Sequence, residues 1–128
     1  MEILASRVLF RPADYQSSLR FYRDAIGLAV AREYGTGTVF YAGQSLVELA
    51  GHGRTSDEAP PFPGALWFQV RDVYATQAEL EGRDVVIARA AKQEPWGLHE
   101  MHVTDPDGVT LIFVQVPETH PLRRDTRK

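Results

Sequence analysis

The sequence lacks cysteine and contains no long apolar run. Without cysteine there is no disulfide scaffold, no thiolate metal site and no cysteine nucleophile. No apolar run approaches the roughly 18 residues that a membrane span needs, and the first residues show neither the charged nor the apolar region of a signal peptide. We therefore expect a cytoplasmic protein with no membrane partner.

An excess of basic charge is also absent. The 14 basic and 17 acidic residues give a net charge of −3, whereas proteins that bind the nucleic-acid backbone are usually clearly basic. This balance argues against a nucleic-acid partner. Four basic residues nevertheless lie close to the C-terminus, and we interpret residues 119–128 as a solvated basic tail that contains Arg123, Arg124, Arg127 and Lys128.

The order of predicted elements occurs twice along the chain. Each half predicts β-α-β-β-β, with alternating apolar residues in the strands and an amphipathic helix after the first strand. The helices begin after the N-cap residues Asp14 and Asp72 and end at Gly27 and Gly82. A loop is predicted over residues 89–96. The predicted strands are 7–11, 28–34, 38–42 and 45–50 in the first half, and 65–70, 84–88, 98–104 and 109–116 in the second.

A segment rich in glycine and proline, residues 52–63, separates the two halves and predicts a linker. It divides the chain into modules at 6–51 and 64–118. Each module has about 55 residues, too few for a comfortable core of its own. We therefore expect the two modules to complete one domain over residues 1–118.

Three segments carry a resemblance to a known family: the helix and its glycine stop at 17–28, the strong turn Asp105-Pro106-Asp107-Gly108, and the Pro95-Trp96-Gly97 segment followed by Glu100-Met101. The sequence resembles the vicinal oxygen chelate superfamily of glyoxalases, bleomycin resistance proteins and extradiol dioxygenases, and most closely its bleomycin-resistance-like branch. The resemblance implies an α+β fold. Two βαβββ modules would form a cupped mixed sheet with helices on its convex side, paired in a homodimer.

The resemblance also implies four metal-ligand positions, one on each of four strands. They correspond to Arg7, Glu48, Ala65 and Ile112. Glu48 alone has a side chain of the ligand type, since alanine and isoleucine have no lone pair and arginine is a permanent cation. We therefore expect no metal and no other cofactor, with a substitute site of Glu48, His102 and one further group left open.

Strand alternation predicts which side chains share the face of Glu48 and would line the cup. Trp67 could stack on a planar ligand, which polar groups would orient. Glu48 and His102 are also weak candidates for catalysis. The predicted ligand-binding residues are Arg7, Leu9, Arg11, Glu48, Trp67, Gln69, Trp96, Glu100, His102 and Ile112.

The opposite faces of the strands are predicted to pack beneath the helices. Simpler alternatives stay open for several of the lining residues: Trp67 in a core or interface, Trp96 in a turn, His102 as a structural histidine, and an ion pair between Arg7 and Glu48. The predicted core residues of the strands are Val8, Phe10, Val47, Leu49, Leu66, Phe68, Val70, Met101, Val103, Leu111 and Phe113.

The leading hypothesis is a metal-free protein that sequesters an apolar or aromatic small molecule, in the manner of antibiotic resistance. The alternative is a divergent lyase, isomerase or oxygenase with a rearranged metal or acid–base site. A third hypothesis is a structural or regulatory dimer whose cup is filled by its own side chains. The sequence names no ligand and leaves open whether any turnover occurs.

Overall fold

The computed structural model of the protein describes residues 1–53 and 61–123. Part of the predicted linker, 54–60, and the end of the predicted basic tail, 124–128, lie outside the described residues. The described strands are β1 (Val8–Phe10), β2 (Val30–Tyr34), β3 (Gly37–Ala42), β4 (Ser45–Ala50), β5 (Ala65–Val70), β6 (Arg89–Gln93), β7 (His99–Thr104) and β8 (Thr110–Gln115). The helices are α1 (Tyr15–Arg20), which continues as a π-helical stretch (Phe21–Ile26), and α2 (Val73–Gly82), with a short 3-10 turn at Pro121–Arg123.

The strands form two four-stranded mixed sheets with the same topology. The first sheet has the order β1-β4-β3-β2 and the second has the order β5-β8-β7-β6. The strand β1 is parallel to β4, and β5 is parallel to β8. The remaining neighbouring pairs are antiparallel. Because the helix follows the first strand of each set, the chain is an α+β protein made of two βαβββ modules, as predicted.

The chain divides into two compact units. The first contains Met1–Phe62 together with the turn Asp105–Gly108, and the second contains Pro63–Thr104 and the chain from Val109 onward. The predicted module limits and the single domain over 1–118 stay predictions.

The predicted N-caps are confirmed. The Asp14 side chain accepts a hydrogen bond from the Ser17 backbone N–H, and the Asp72 side chain accepts from Tyr74 and Ala75. Gly27 has the left-handed φ of 84° expected of the residue that ends a helix.

The helix α2 ends at Gly82, as predicted, but Gly82 does not have the left-handed conformation of a helix stop. The left-handed residue is Asp84, with φ 61°. The Asp84 N–H donates to the Glu81 carbonyl and the Val85 N–H donates to the Leu80 carbonyl. This is the paired hydrogen-bond pattern of a Schellman end, placed two residues later than the glycine indicated.

The predicted strand 84–88 is wrong, and the predicted loop 89–96 is wrong over residues 89–93 but holds over residues 94–96. The residues that pair with β7 are Arg89–Gln93, in an irregular antiparallel ladder. Asp84 and Val85 are occupied by the end of α2, and Val86 is 82% exposed. The β-branched residues 85–87 favour an extended strand. The paired register with β7, however, begins only at Arg89.

The core of each unit lies between its sheet and its helix. Buried residues of the first unit include Leu19, Tyr22, Phe40, Val47 and Leu49, and those of the second include Leu66, Val73, Leu80, Met101, Val103, Leu111 and Phe113. Val8 departs from the predicted core and is 36% exposed, because β1 is a short strand at the edge of its sheet. Within the described residues, no helix is long and apolar enough to cross a membrane.

Candidate functional site

In the first unit, the predicted site residues gather around Glu48 at the centre of the sheet. Register places Leu9 of β1 beside Glu48 of β4, and Glu48 beside Val39 of β3. Glu48 is 8% exposed, and its oxygen Oε1 accepts a hydrogen bond of 3.0 Å from Arg7 Nη1. The Tyr34 hydroxyl donates to the other oxygen, Oε2. The ion pair that the sequence left open is therefore present, and both carboxylate oxygens have a donor.

Tyr34 was not predicted as a partner of Glu48, because the two strands β2 and β4 are separated by β3. The ring crosses β3 at Gly37, where a Cβ atom would lie 2.3 Å from the Tyr34 ring and hydroxyl. Any side chain at Gly37 would therefore occupy the space of the tyrosine. The glycine is the one sequence signal that could have pointed to this contact.

The two donors set the charge of Glu48. The Tyr34 hydrogen bond lowers the pKa of the Glu48 carboxyl below its ordinary value, Arg7 adds to this, and desolvation opposes it only in part. The same hydrogen bond raises the pKa of the Tyr34 phenol. Glu48 is thus a stable anion and a weak base at neutral pH, and its oxygens are already occupied.

Leu9 and Arg11 continue the same edge of the first unit. Leu9 is 40% exposed. The exposed Arg11 donates from Nε to the His52 backbone carbonyl at 3.2 Å, and His52 Nδ1 lies 2.9 Å from Thr36 Oγ1. The side chains of Arg7, Leu9 and Arg11 alternate along β1 and its ends, so strand geometry puts them on one face.

In the second unit, three predicted site residues and Arg89, which was not predicted, form one row across the sheet. Register pairs Trp67 of β5 with Ile112 of β8, Ile112 with His102 of β7, and His102 with Arg89 of β6. Directly paired residues share a face of a sheet. Trp67 is 47% exposed, and the other three are half-buried.

The next row of the same face contains Gln69, Val114, Glu100 and Lys92. Glu100 is 7% exposed and accepts a hydrogen bond of 2.7 Å from the Trp96 indole Nε1. This bond holds the Trp96 turn against β7 and leaves the indole 57% exposed. The spacing of four residues between them could have suggested the contact, but strand alternation alone did not.

The surroundings of His102 favour its uncharged form. Desolvation by burial lowers the pKa of its imidazole, the charges of Arg89 and Lys92 lower it further, and Glu100 opposes them. Arg89 itself forms an ion pair with Glu94, which is 6% exposed. This ion pair was not predicted, because residues 89–96 were interpreted as a loop. The imidazole of His102 can therefore accept a hydrogen bond at neutral pH.

The described residues do not fit the metal that the family resemblance implies. Glu48 has both oxygens engaged, and the remaining family positions are Arg7, Ala65 and Ile112. Among residues 1–53 and 61–123, no group of three or more histidine or acidic side chains is arranged to hold a metal ion. Glu48 and His102 belong to different units, and the substitute site that would combine them stays a prediction.

Comparison with known families identifies the class of protein. The family model of the Glyoxalase/Bleomycin resistance protein/Dioxygenase superfamily matches residues 5–113. The chain therefore belongs to this superfamily. A search of curated proteins gave no match.

Several solved structures have the same fold. A glyoxalase-related enzyme from Fulvimarina pelagi is 22% identical with a TM-score of 0.70, covering 91% of this chain and 90% of that one. A glyoxalase/bleomycin resistance protein/dioxygenase from Nocardioides is 13% identical with a TM-score of 0.72, covering 94% and 89%. At these identities the likeness concerns the fold alone.

Proposed function

We propose that this protein binds and sequesters an apolar or aromatic small molecule without a metal, in the manner of the bleomycin-resistance-like branch of its superfamily. The observation that carries the proposal is the row Trp67, Ile112 and His102 on one face of the second sheet, with the indole 47% exposed. We further expect a homodimer in the cytoplasm.

The composition of this face suits a planar ligand. An exposed indole offers a large apolar surface and a π-face, and stacking on it adds to the benefit of removing water. Beside it, Ile112 packs against a buried cluster of Leu98, Val114 and Val116. The aromatic ring therefore lies next to an ordered aliphatic surface, with the neutral His102 available as a hydrogen-bond acceptor.

Calorimetric titration with 2-naphthol, an uncharged planar aromatic alcohol, tests this function. We expect Trp67→Leu to weaken binding at least about fivefold, because stacking contributes about 1–3 kcal/mol in comparable aromatic contacts. Tyr41→Leu is the matched control, since Tyr41 is an aromatic residue on a strand of the other unit and is 55% exposed. Equal binding by wild type and Trp67→Leu would refute the proposed surface.

Metal content is a separate test of the same proposal. After purification and dialysis, we expect less than about 0.1 metal ion per chain, because Glu48 is paired and the described residues contain no group of three side chains arranged to hold a metal ion. Zinc, manganese or iron retained at one ion per chain would exclude the metal-free function.

An acid–base enzyme is the second candidate, and the lowered pKa of His102 favours it because a neutral imidazole can take a proton. The two candidates differ in the fate of the ligand. A compound that binds at Trp67 and is recovered unchanged after long incubation supports sequestration. A product that forms with wild type and fails to form with His102→Gln, while binding persists, would support the enzyme.

A further inference from the structure

A partly exposed guanidinium lies on the first unit, whereas the function proposed for the Trp67 face uses residues of the second unit. The Arg7 side chain is 37% exposed, whereas the Glu48 side chain that binds it is 11% exposed. Among the described contacts, Arg7 uses one nitrogen, Nη1, toward Glu48. A guanidinium has five N–H donors in a planar fork, so an unused edge of Arg7 remains on its solvent side.

Glu48 and Tyr34 hold this guanidinium in place. The Tyr34 hydroxyl donates a hydrogen bond to the other oxygen of Glu48. The Arg32 guanidinium carbon Cζ in turn lies over the Tyr34 ring, 5.3 Å from the ring centroid. An arginine that is already oriented loses less conformational entropy when it binds a second group. The arrangement therefore preorganises Arg7 rather than merely neutralising a buried acid.

The surroundings select the ligand chemistry. Leu9 is 40% exposed on the same face of β1, and Arg11 follows it two residues later. Glu48 carries one negative charge, which is paired with Arg7. It therefore does not also compensate the positive charge of the exposed Arg11. A planar, singly charged oxyanion on an apolar body matches the fork, the leucine and the modest local charge.

We propose that Arg7 binds the carboxylate of a small organic acid whose apolar part lies against Leu9. Glu48 and Tyr34 act as positioning residues for this guanidinium. The site lies wholly within the first unit and goes beyond the function proposed for the Trp67 face.

Amide NMR titration with sodium benzoate at low salt tests this site, with benzamide as the uncharged ligand of the same shape. We expect benzoate to shift the amides of β1 and of Glu48 at millimolar concentration, and benzamide to bind at least tenfold more weakly. Arg7→Gln should weaken benzoate binding at least tenfold. Arg20→Gln is the control, because Arg20 is an exposed arginine of α1, and it should stay within twofold of wild type.

Further variants separate this site from others. Arg7→Lys keeps the charge and the pairing with Glu48 but removes the fork, so we expect it to fold and to bind benzoate several-fold more weakly. Trp67→Leu should leave the β1 shifts unchanged whether or not the Trp67 face binds aromatics. Equal binding of benzamide and benzoate, or full binding by Arg7→Lys, would overturn the proposal.

Discussion

Glu48 is a nearly buried anion whose environment supplies two donors, one charged and one neutral. Removing a partner from such a group leaves a carboxylate with incomplete hydrogen bonding in a partly desolvated position, which is costly. The same two donors remove it from use as a base or a metal ligand. Glu48, which the family resemblance aligns with a metal-ligand position, therefore has a structural role in this chain.

The pH dependence of stability tests this role at the residue scale. Because the pKa of Glu48 is lowered in the folded state, its contribution is complete above the unfolded-state pKa and is lost as the pH falls through the folded-state pKa. We expect Glu48→Gln to reduce the free energy of unfolding by about 2 kcal/mol at pH 7 and by much less at pH 3. Urea unfolding at both pH values measures this difference.

Glu33→Gln is the control for that experiment. Glu33 is an exposed carboxylate on β2, and its removal should change stability little at either pH. A loss of stability in Glu48→Gln that is the same at pH 3 and pH 7 would mean that packing, rather than charge, accounts for the role of Glu48.

The two helices end in different ways, although both begin with an aspartate cap. The left-handed residue that follows the first helix is Gly27, and the one that follows the second is Asp84. An aspartate in this conformation is strained by its Cβ, and its negative charge lies at the unfavourable end of the helix dipole. Gly82, the last residue of α2, has a lower helix propensity than alanine would have. A Cβ atom at this position would meet nothing within 4 Å.

Three substitutions distinguish these positions at the scale of the element. We expect Asp84→Gly and Gly82→Ala each to stabilise the protein by about 0.5–1 kcal/mol, and Gly27→Ala to destabilise it by about 1 kcal/mol. Thermal unfolding of the three variants measures the signs. A stabilised Gly27→Ala, or a destabilised Asp84→Gly, would contradict the assignment of the left-handed residues.

At the scale of the whole molecule, the first unit is assembled from segments far apart in the chain. The Tyr22 hydroxyl, fully buried, donates to Asp105 Oδ2 at 2.8 Å across 83 residues of sequence. Asp105 also accepts from the Asp107 N–H and so shapes the turn 105–108. Burial, and then the Asp105 charge, raises the pKa of the Tyr22 phenol, which stays protonated as a donor.

Tyr22→Phe measures the value of this long-range contact. The substitution keeps the ring and removes one hydrogen bond to a buried carboxylate, so we expect a loss of about 1–3 kcal/mol in unfolding free energy. Tyr41→Phe, at an exposed tyrosine, should be nearly neutral in the same chemical denaturation experiment. Equal stability of Tyr22→Phe and wild type would show that Asp105 finds another donor of the same strength.

The fold was largely predictable because its signals are local. Aspartate caps, alternation in the strands and the Asp-Pro-Asp-Gly turn act within a few residues, and their repetition in two halves predicted the βαβββ topology. The prediction of β6 was misplaced because no local signal marks this strand. The residues with the highest strand preference, 85–87, come directly after the end of α2 and precede the strand. Membership in the superfamily followed from the same motifs and is confirmed by the family match.

The sequence by itself determined the residue types of the candidate site: a lone carboxylate among the family metal positions, an arginine near it and two tryptophans. Tertiary structure decided what they contact. Strand register aligned Trp67 with Ile112 and His102, and the gap at Gly37 allowed Tyr34 to reach Glu48. Composition and spacing express local preferences, whereas register and cross-strand reach depend on how the whole sheet packs.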